Sequence, residues 1–253
     1  MKETAFHTKD SKSEEDVINF YEEYANNWDD RFGNTFSTHY FIERRWRSFQ
    51  DAVRSCEFIN HIAVELGVGT GVYIDRSAAI FEKIIAIDGS SAMLKLTQEK
   101  LTSKDISSVS LVQSNVLNIQ QISDSSVDCV YFFGLIEHIV ELDKFIDELK
   151  RILKKDGVVI GVTPNAASPW YAVRSIIRGT GKHCSTDTYY SIDDLDSIFS
   201  LYGFSRVYLS QWGAVPAGIS NTLGWLLAKI EPYIEKTPLK KFLGGLTFVY
   251  RLT

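Results

Sequence analysis

Apolar positions along this chain keep two different periods, and the changes between them mark its elements. From Glu14 to about Arg54 they recur three and four residues apart (Val17, Phe20, Tyr21, Tyr24, Trp28), as on one face of a helix. From Ile62 onward, short continuous apolar runs take over. Ile62–Leu66, Lys83–Asp88, Val109–Ser114, Val127–Phe133 and Gly157–Thr163 read as five buried strands. Helical stretches separate them over about Val72–Phe81, Ala92–Leu101 and Leu142–Lys154, with Ser90 or Ser91 placed to cap the second. This alternation predicts a parallel sheet covered on both faces. Right-handed crossovers then leave a doubly wound, Rossmann-like α/β fold as the economical topology.

The last third changes rhythm. Residues 164–190 are loop-rich and contain an aromatic–basic helix, PWYAVRSIIRG. Ser191–Tyr202 reads as a helix opened by a Ser191–Asp194 capping box and stopped by Gly203. Phe204–Trp212 and Leu246–Leu252 read as two further strands. Between them a helical stretch at about Thr222–Leu243 mixes Trp, Leu and Ile with Lys229, Lys236, Lys240 and Lys241. Pro232 and Pro238 interrupt it, so packing as lid or core is favoured over an interfacial helix with weak peripheral membrane contact. No Pro/Gly/Ser linker divides the chain. One domain is expected over 1–253, with a tail and helical cap (1–55), a core (56–165), and an inserted lid with the last two strands (166–253).

Composition narrows the function. The chain has 253 residues, 45% of them hydrophobic and 23% charged, enough apolar matter for a substantial core. Its formal charge of −5 disfavours a broadly basic surface for nucleic acid. The cluster Arg44, Arg45, Arg47 reads as a solvated helix face. Cys56, Cys129 and Cys184 are too few and too scattered for a disulfide framework, and no spacing suggests zinc, so no metal is expected. The polar first residues lack the apolar centre of a signal peptide, and no apolar run is long enough to span a bilayer. A cytoplasmic protein is the expectation, its oligomeric state open.

The segment that carries chemistry is AVELGVGTGVYI, Ala63–Ile74. Gly67, Gly69 and Gly71 follow a strand and open a helix, where backbone N–H groups can approach a ligand closely. Asp88, ending the second strand 21 residues after Gly67, is placed to accept hydrogen bonds from ribose hydroxyls. A dinucleotide loop would need a third glycine at position 72, where Val72 stands. Glu65 inside the strand would repel a pyrophosphate but could hold an ammonium. The expected ligand bears adenosine, lacks phosphate and is cationic, which fits S-adenosylmethionine.

ELGVGTG, AIDGSSAML, SVDCVYFFGLIEHI and LKRILKKDGVVIGVTPN, in that order over roughly residues 60–165, resemble the class I S-adenosylmethionine-dependent methyltransferases. The likeness is to small-molecule enzymes of that group, quinone-biosynthesis methyltransferases among them. It implies that Glu65, Gly67, Gly69 and Gly71 cradle the methionine end, that Asp88 takes the ribose, and that Asn115 and Val116 read the adenine with Met93 against it. Phe133 at the end of strand four joins that set. The pattern FYEEYANNWDD implies that Tyr21 and Trp28 close over the cofactor. A seventh, antiparallel strand is also implied, with the terminal FVYRL run placed for it.

Methyl transfer to a small organic acceptor, at oxygen, nitrogen or carbon, is therefore the expected activity. A hydroxyl acceptor would need a base, for which His138, after strand four, and His183, in the lid, are the candidates. His138 could instead only order its loop. Trp170, Tyr171, Tyr189, Tyr190 and Trp212 hint at an aromatic or lipophilic acceptor. Strand four ends FFGL and lacks the paired prolines that relatives use on nucleobase nitrogens, which moves nucleic acid further down. An NAD-dependent oxidoreductase and a non-catalytic S-adenosylmethionine-binding protein remain as alternatives.

Overall fold

Seven strands form one sheet in the order β3-β2-β1-β4-β5-β7-β6. They are β1 (Ile62–Leu66), β2 (Lys83–Asp88), β3 (Val109–Gln113), β4 (Val127–Phe133), β5 (Leu153–Pro164), β6 (Phe204–Trp212) and β7 (Gly245–Leu252). Strands β1 to β5 pair in parallel, while β7 runs antiparallel to both β5 and β6. The computed structural model describes residues 13–29, 35–56, 61–171, 188–216 and 219–253. The helices are α1 (Glu14–Tyr24), α2 (Phe36–Ser55), α3 (Ile74–Ser77), α4 (Ser91–Ser103), α5 (Leu142–Ile152), α6 (Ile192–Leu201) and α7 (Asn221–Ile234).

Period-two alternation assigns each strand residue to one of two cores. Val64, Leu66, Val130 and Phe132 face a cluster shared with Phe145 and Leu149 of α5 and Leu195 and Phe199 of α6. Ala63, Cys129, Tyr131 and Ile160 face the other cluster, with Phe49 and Ala52 of α2 and Leu94 of α4. Phe49 and Ala52 are fully buried, so α2 is part of the core wall; a side chain of Phe49's size contributes ~1.5–3 kcal/mol by burial alone.

Several boundaries differ from the sequence pattern. The helical region before Arg54 is two helices: α1 ends in a 3-10 turn, Ala25–Asn27, and α2 starts afresh behind Thr35, whose side chain caps it. The predicted helix at Val72–Phe81 shrinks to α3, because the glycine loop continues as tight turns as far as Gly71, whose N–H donates to the Val68 carbonyl. Strand β5 begins at Leu153, earlier than periodicity suggests. Leu153 pairs with Val127 ahead of a register shift, and Asp156 takes φ 64° to carry the bend. The aromatic–basic helix lies outside the described residues beyond Tyr171.

Candidate functional site

The carboxyl ends of β1, β2, β4 and β5 open onto one cavity of about 410 Å³. Such an edge is where open α/β sheets bind ligands, because the loops there diverge. The glycine loop after β1 is held from behind by α4. Thr97 Oγ1 donates to the Gly69 carbonyl at 2.7 Å, and Lys100 Nζ donates to the carbonyls of Thr70 and Gly71. Gly67, Gly69 and Gly71 take φ of 65°, 56° and 68°, a left-handed run that L side chains resist. A Cβ on Gly69 would meet nothing within 4 Å, so this glycine faces the open cavity; one on Gly67 would touch Leu135. Gly71 does not line the cavity. A Cβ there would press on Ile74 and Thr97, so it serves the turn and the seating of α4.

Two carboxylates project into this space from adjacent strands. Glu65 is buried and accepts a hydrogen bond from the Tyr131 hydroxyl at 2.9 Å. Burial pushes its carboxyl up to about 8. Asp88 accepts from the Gly69 N–H at 2.8 Å on one oxygen and the Ser90 N–H at 2.9 Å on the other. Burial raises it too, and those backbone bonds oppose the rise. Ser90 is also the cap of α4, accepting from the Met93 N–H.

Met93, Asn115, Val116 and Phe133 line the same cavity. The Asn115 side-chain oxygen, the atom best suited to an adenine amino group, already accepts the Leu117 N–H at 2.9 Å. This is a local Asx turn, so its oxygen offers at most its second lone pair. His138 closes a 3-10 turn after β4, and its Nε2 lies 2.9 Å from the Tyr21 hydroxyl of α1. Two residues singled out for separate reasons thus form one hydrogen-bonded pair across the cavity. His183 lies outside the described residues. Among the acceptor-side aromatics, Trp170, Tyr171, Tyr189 and Trp212 line the cavity; Tyr190 is buried in the core instead.

Helix α1 covers the cavity and is fixed at both ends. Glu22 accepts from the Ser90 and Ser91 hydroxyls and the Ala92 N–H at the start of α4. Glu14 accepts from the Val140 and Glu141 N–H groups just ahead of α5. Both carboxylates sit where helix N-termini favour negative charge.

The arginine cluster is not a solvated face. Arg44 points inward and pairs with Glu231 and Glu235. Arg45 lines the cavity with its guanidinium 5.8 Å from the ring centroids of Phe41 and Phe133, and only Arg47 of the three is exposed. Among the described residues Arg45 is the one Lys or Arg in the lining, and no carboxylate there forms an ion pair with it. Sequence reasoning passed over it because adjacent arginines on a helix look alike until the helix is docked. Gly134, at φ 68°, makes room: a Cβ there would collide with the Arg45 guanidinium.

Comparison with known proteins bears on this site. A family model described as a methyltransferase domain matches residues 64–161. A probable S-adenosylmethionine-dependent methyltransferase of Mycobacterium tuberculosis is 28% identical over 102 residues, covering 40% of this chain and 35% of that one. The chain thus spans about a third of that curated relative's length. The structure of a possible histamine N-methyltransferase from Thermotoga maritima superposes with a TM-score of 0.68 at 14% identity, over 94% of this chain and all of the other. A DhpI–SAH complex superposes at 0.63 and 15%, over 94% and 96%. These structures show likeness of fold alone. None of these matches bears on the likeness to quinone-biosynthesis enzymes.

Proposed function

From the premise that residues 64–161 are a methyltransferase domain on a class I S-adenosylmethionine-dependent methyltransferase fold, we propose that this protein moves a methyl group from S-adenosylmethionine to a small organic acceptor. The observation that carries the reading is the placement of two strand carboxyls, buried Glu65 and half-buried Asp88, in one cavity where Arg45 is the one guanidinium among the described residues. A pyrophosphate would meet two acids there. An amino acid joined to an uncharged nucleoside meets complementary charges: Glu65 for its ammonium, Arg45 for its carboxylate, Asp88 for its ribose hydroxyls. The backbone at Gly67 and Gly69 gives it close approach. Met93, Asn115 and Val116 take the adenine, and Phe133 and Tyr21 offer aromatic faces near the cation.

S-adenosylmethionine, when bound, supplies a methyl group already made electrophilic by its sulfonium. The chain has to orient an attacking atom and keep water out. Orientation of this kind supplies ~7–11 kcal/mol in favourable cases. Helix α1 is the cover, and Trp170, Tyr171, Tyr189 and Trp212 form an apolar, ring-lined chamber suited to an aromatic or lipophilic acceptor. For a hydroxyl acceptor, the Tyr21 hydroxyl takes the acceptor's proton while passing its own to His138 Nε2. An amine or activated carbon needs less help.

Calorimetric titration tests the premise: heat with S-adenosylmethionine and none with NAD is expected, and the reverse ends the reading. Methyl-labelled cofactor with a panel of small acceptors tests turnover. With a hydroxyl acceptor, His138→Ala should lower kcat by ~10²–10⁴ with cofactor affinity unchanged, and Tyr21→Phe should lower it in the same direction. Undiminished turnover in both variants removes the proton relay.

A further inference from the structure

Helix α7 is mounted inside out. Gly224 and Glu231 face the protein: Gly224 packs on Phe36 and Val215, and Glu231 is 1% exposed. Most of its large apolar side chains face away, while Leu227 and Ile234 are half-buried. Leu223, Leu226, Ile230 and Tyr233 follow one another at three, four and three residues, a single helical stripe, and their exposure runs from 43% at Ile230 to 73% at Tyr233. Trp225 on the same helix, and Leu239 and Phe242 on the 3-10 turn that follows (Pro238–Phe242), extend the patch. Among the described residues, seven of the eleven large exposed apolar side chains fall within Leu223–Phe242. Contiguous apolar surface of this kind marks a site of interaction.

The orientation is fixed, because Glu231 is held by four donors. Arg44 Nε donates at 2.8 Å, the Tyr40 hydroxyl at 3.1 Å, and the Gly213 and Ala214 N–H groups at 2.9 Å each. Turning the stripe inward would break all four and leave the Gly213 and Ala214 N–H groups without this acceptor. The outward face is therefore a built feature of the fold.

Its charge identifies the occupant. Lys229, Lys236, Lys240 and Lys241 are all exposed around the patch, Lys229 over the Trp225 ring at 3.6 Å and Lys241 over Phe242 at 5.0 Å. The two acids of the segment, Glu231 and Glu235, are both bound to Arg44. A chain of net charge −5 thus shows one lysine-rimmed apolar face. Two copies pressed together here would oppose their lysines. We propose that this face docks on the surface of an anionic lipid bilayer, the apolar stripe entering the headgroup boundary and the lysines meeting lipid phosphates. The patch leads directly to the cavity. Phe242 is followed by Leu243, Gly244 and Gly245, the last two in the lining, and the Asn165 amide ties the Lys241 and Leu243 carbonyls to the end of β5. Docking places the chamber's rim at the membrane, where lipophilic molecules concentrate.

The test is co-sedimentation of the full chain with vesicles of phosphatidylcholine alone and of phosphatidylcholine with phosphatidylglycerol. Partition into the anionic vesicles is expected, weakening as salt is raised. Lys240→Glu/Lys241→Glu and Leu226→Ser/Ile230→Ser should each reduce it at least ~tenfold. Both pairs of side chains are exposed, so unchanged unfolding by urea certifies the fold. Absence of partition by the native chain overturns the proposal, as does equal partition of the variants. So does a concentration-dependent dimer that both variants abolish while vesicles stay unbound, which would give the face to a second copy. None of these readouts involves methyl transfer, so the docking surface stands or falls apart from the chemistry proposed above.

Discussion

Burial gives Glu65 its unusual chemistry, with the Tyr131 hydroxyl opposing the shift and the nearby Asp88 adding to it. A carboxyl at about 8 in the folded chain, against an ordinary value of 4.5, stays protonated through neutral pH unless a cation joins it. Its contribution to stability is complete below the unfolded value and is lost as pH rises from about 4.5 to about 8. Denaturant unfolding of the ligand-free protein at stepped pH should show that decline, and Glu65→Gln should remove that component of it. A variant curve parallel to the native one would contradict the assignment. Asp88 carries a separate expectation. Asp88→Ala should weaken S-adenosylmethionine binding by ~1.5–3 kcal/mol in calorimetry, since a carboxylate that serves both the ligand and the Gly69 N–H is lost. Both acids were legible in the sequence because each stands out in a plain apolar run, Glu65 inside β1 and Asp88 at the end of β2. Asn115 was legible only as a candidate, since the same side chain serves an Asx turn or a ligand equally well.

Among the elements, α1 shows how a cover is attached. The Ser90 hydroxyl first, with the Ala92 N–H and the Ser91 hydroxyl, holds the Glu22 carboxyl below its ordinary range. That contact is in place above about pH 4.5 and is lost as pH falls through the depressed value. Glu22→Gln should loosen α1 at neutral pH by ~0.3–1 kcal/mol, seen as faster amide exchange in residues 14–24 and faster cofactor release. Unaltered exchange there would mean the cover is held elsewhere. The apolar spacing of α1 was readable from sequence. Its docking was not, because Glu22 and Ser90 are 68 residues apart and nothing local links them.

Across the whole molecule, Arg44 and Glu231, 187 residues apart, join α2 to α7 and to the turn after β6. Removing Glu231 leaves the Gly213 and Ala214 N–H groups without this acceptor and Arg44 with Glu235 alone. Glu231→Ala should therefore cost ~3–5 kcal/mol in urea unfolding, and Glu231→Gln, which can keep some of the bonds, should cost less. Equal and small losses would show that the network is ornamental to the fold. The sequence pattern has Pro232 interrupt the helix it anchors and favours packing as lid or core. Instead it runs two residues past that proline with its apolar stripe in solvent. Among the described residues no helix is long and apolar enough to cross a membrane.

Local pattern alone settled the strands, the glycine loop, Asp88 at the end of β2 and the helix caps, because each depends on residues within a few positions of one another. Period, turn chemistry and capping act at that range. Packing decided which arginine enters the cavity, that Gly71 seats a helix, that Tyr21 meets His138 and that α7 faces outward. Each of those outcomes depends on groups brought together from distant parts of the chain, and a buried ion pair can override the amphipathic rule that a single helix would otherwise obey.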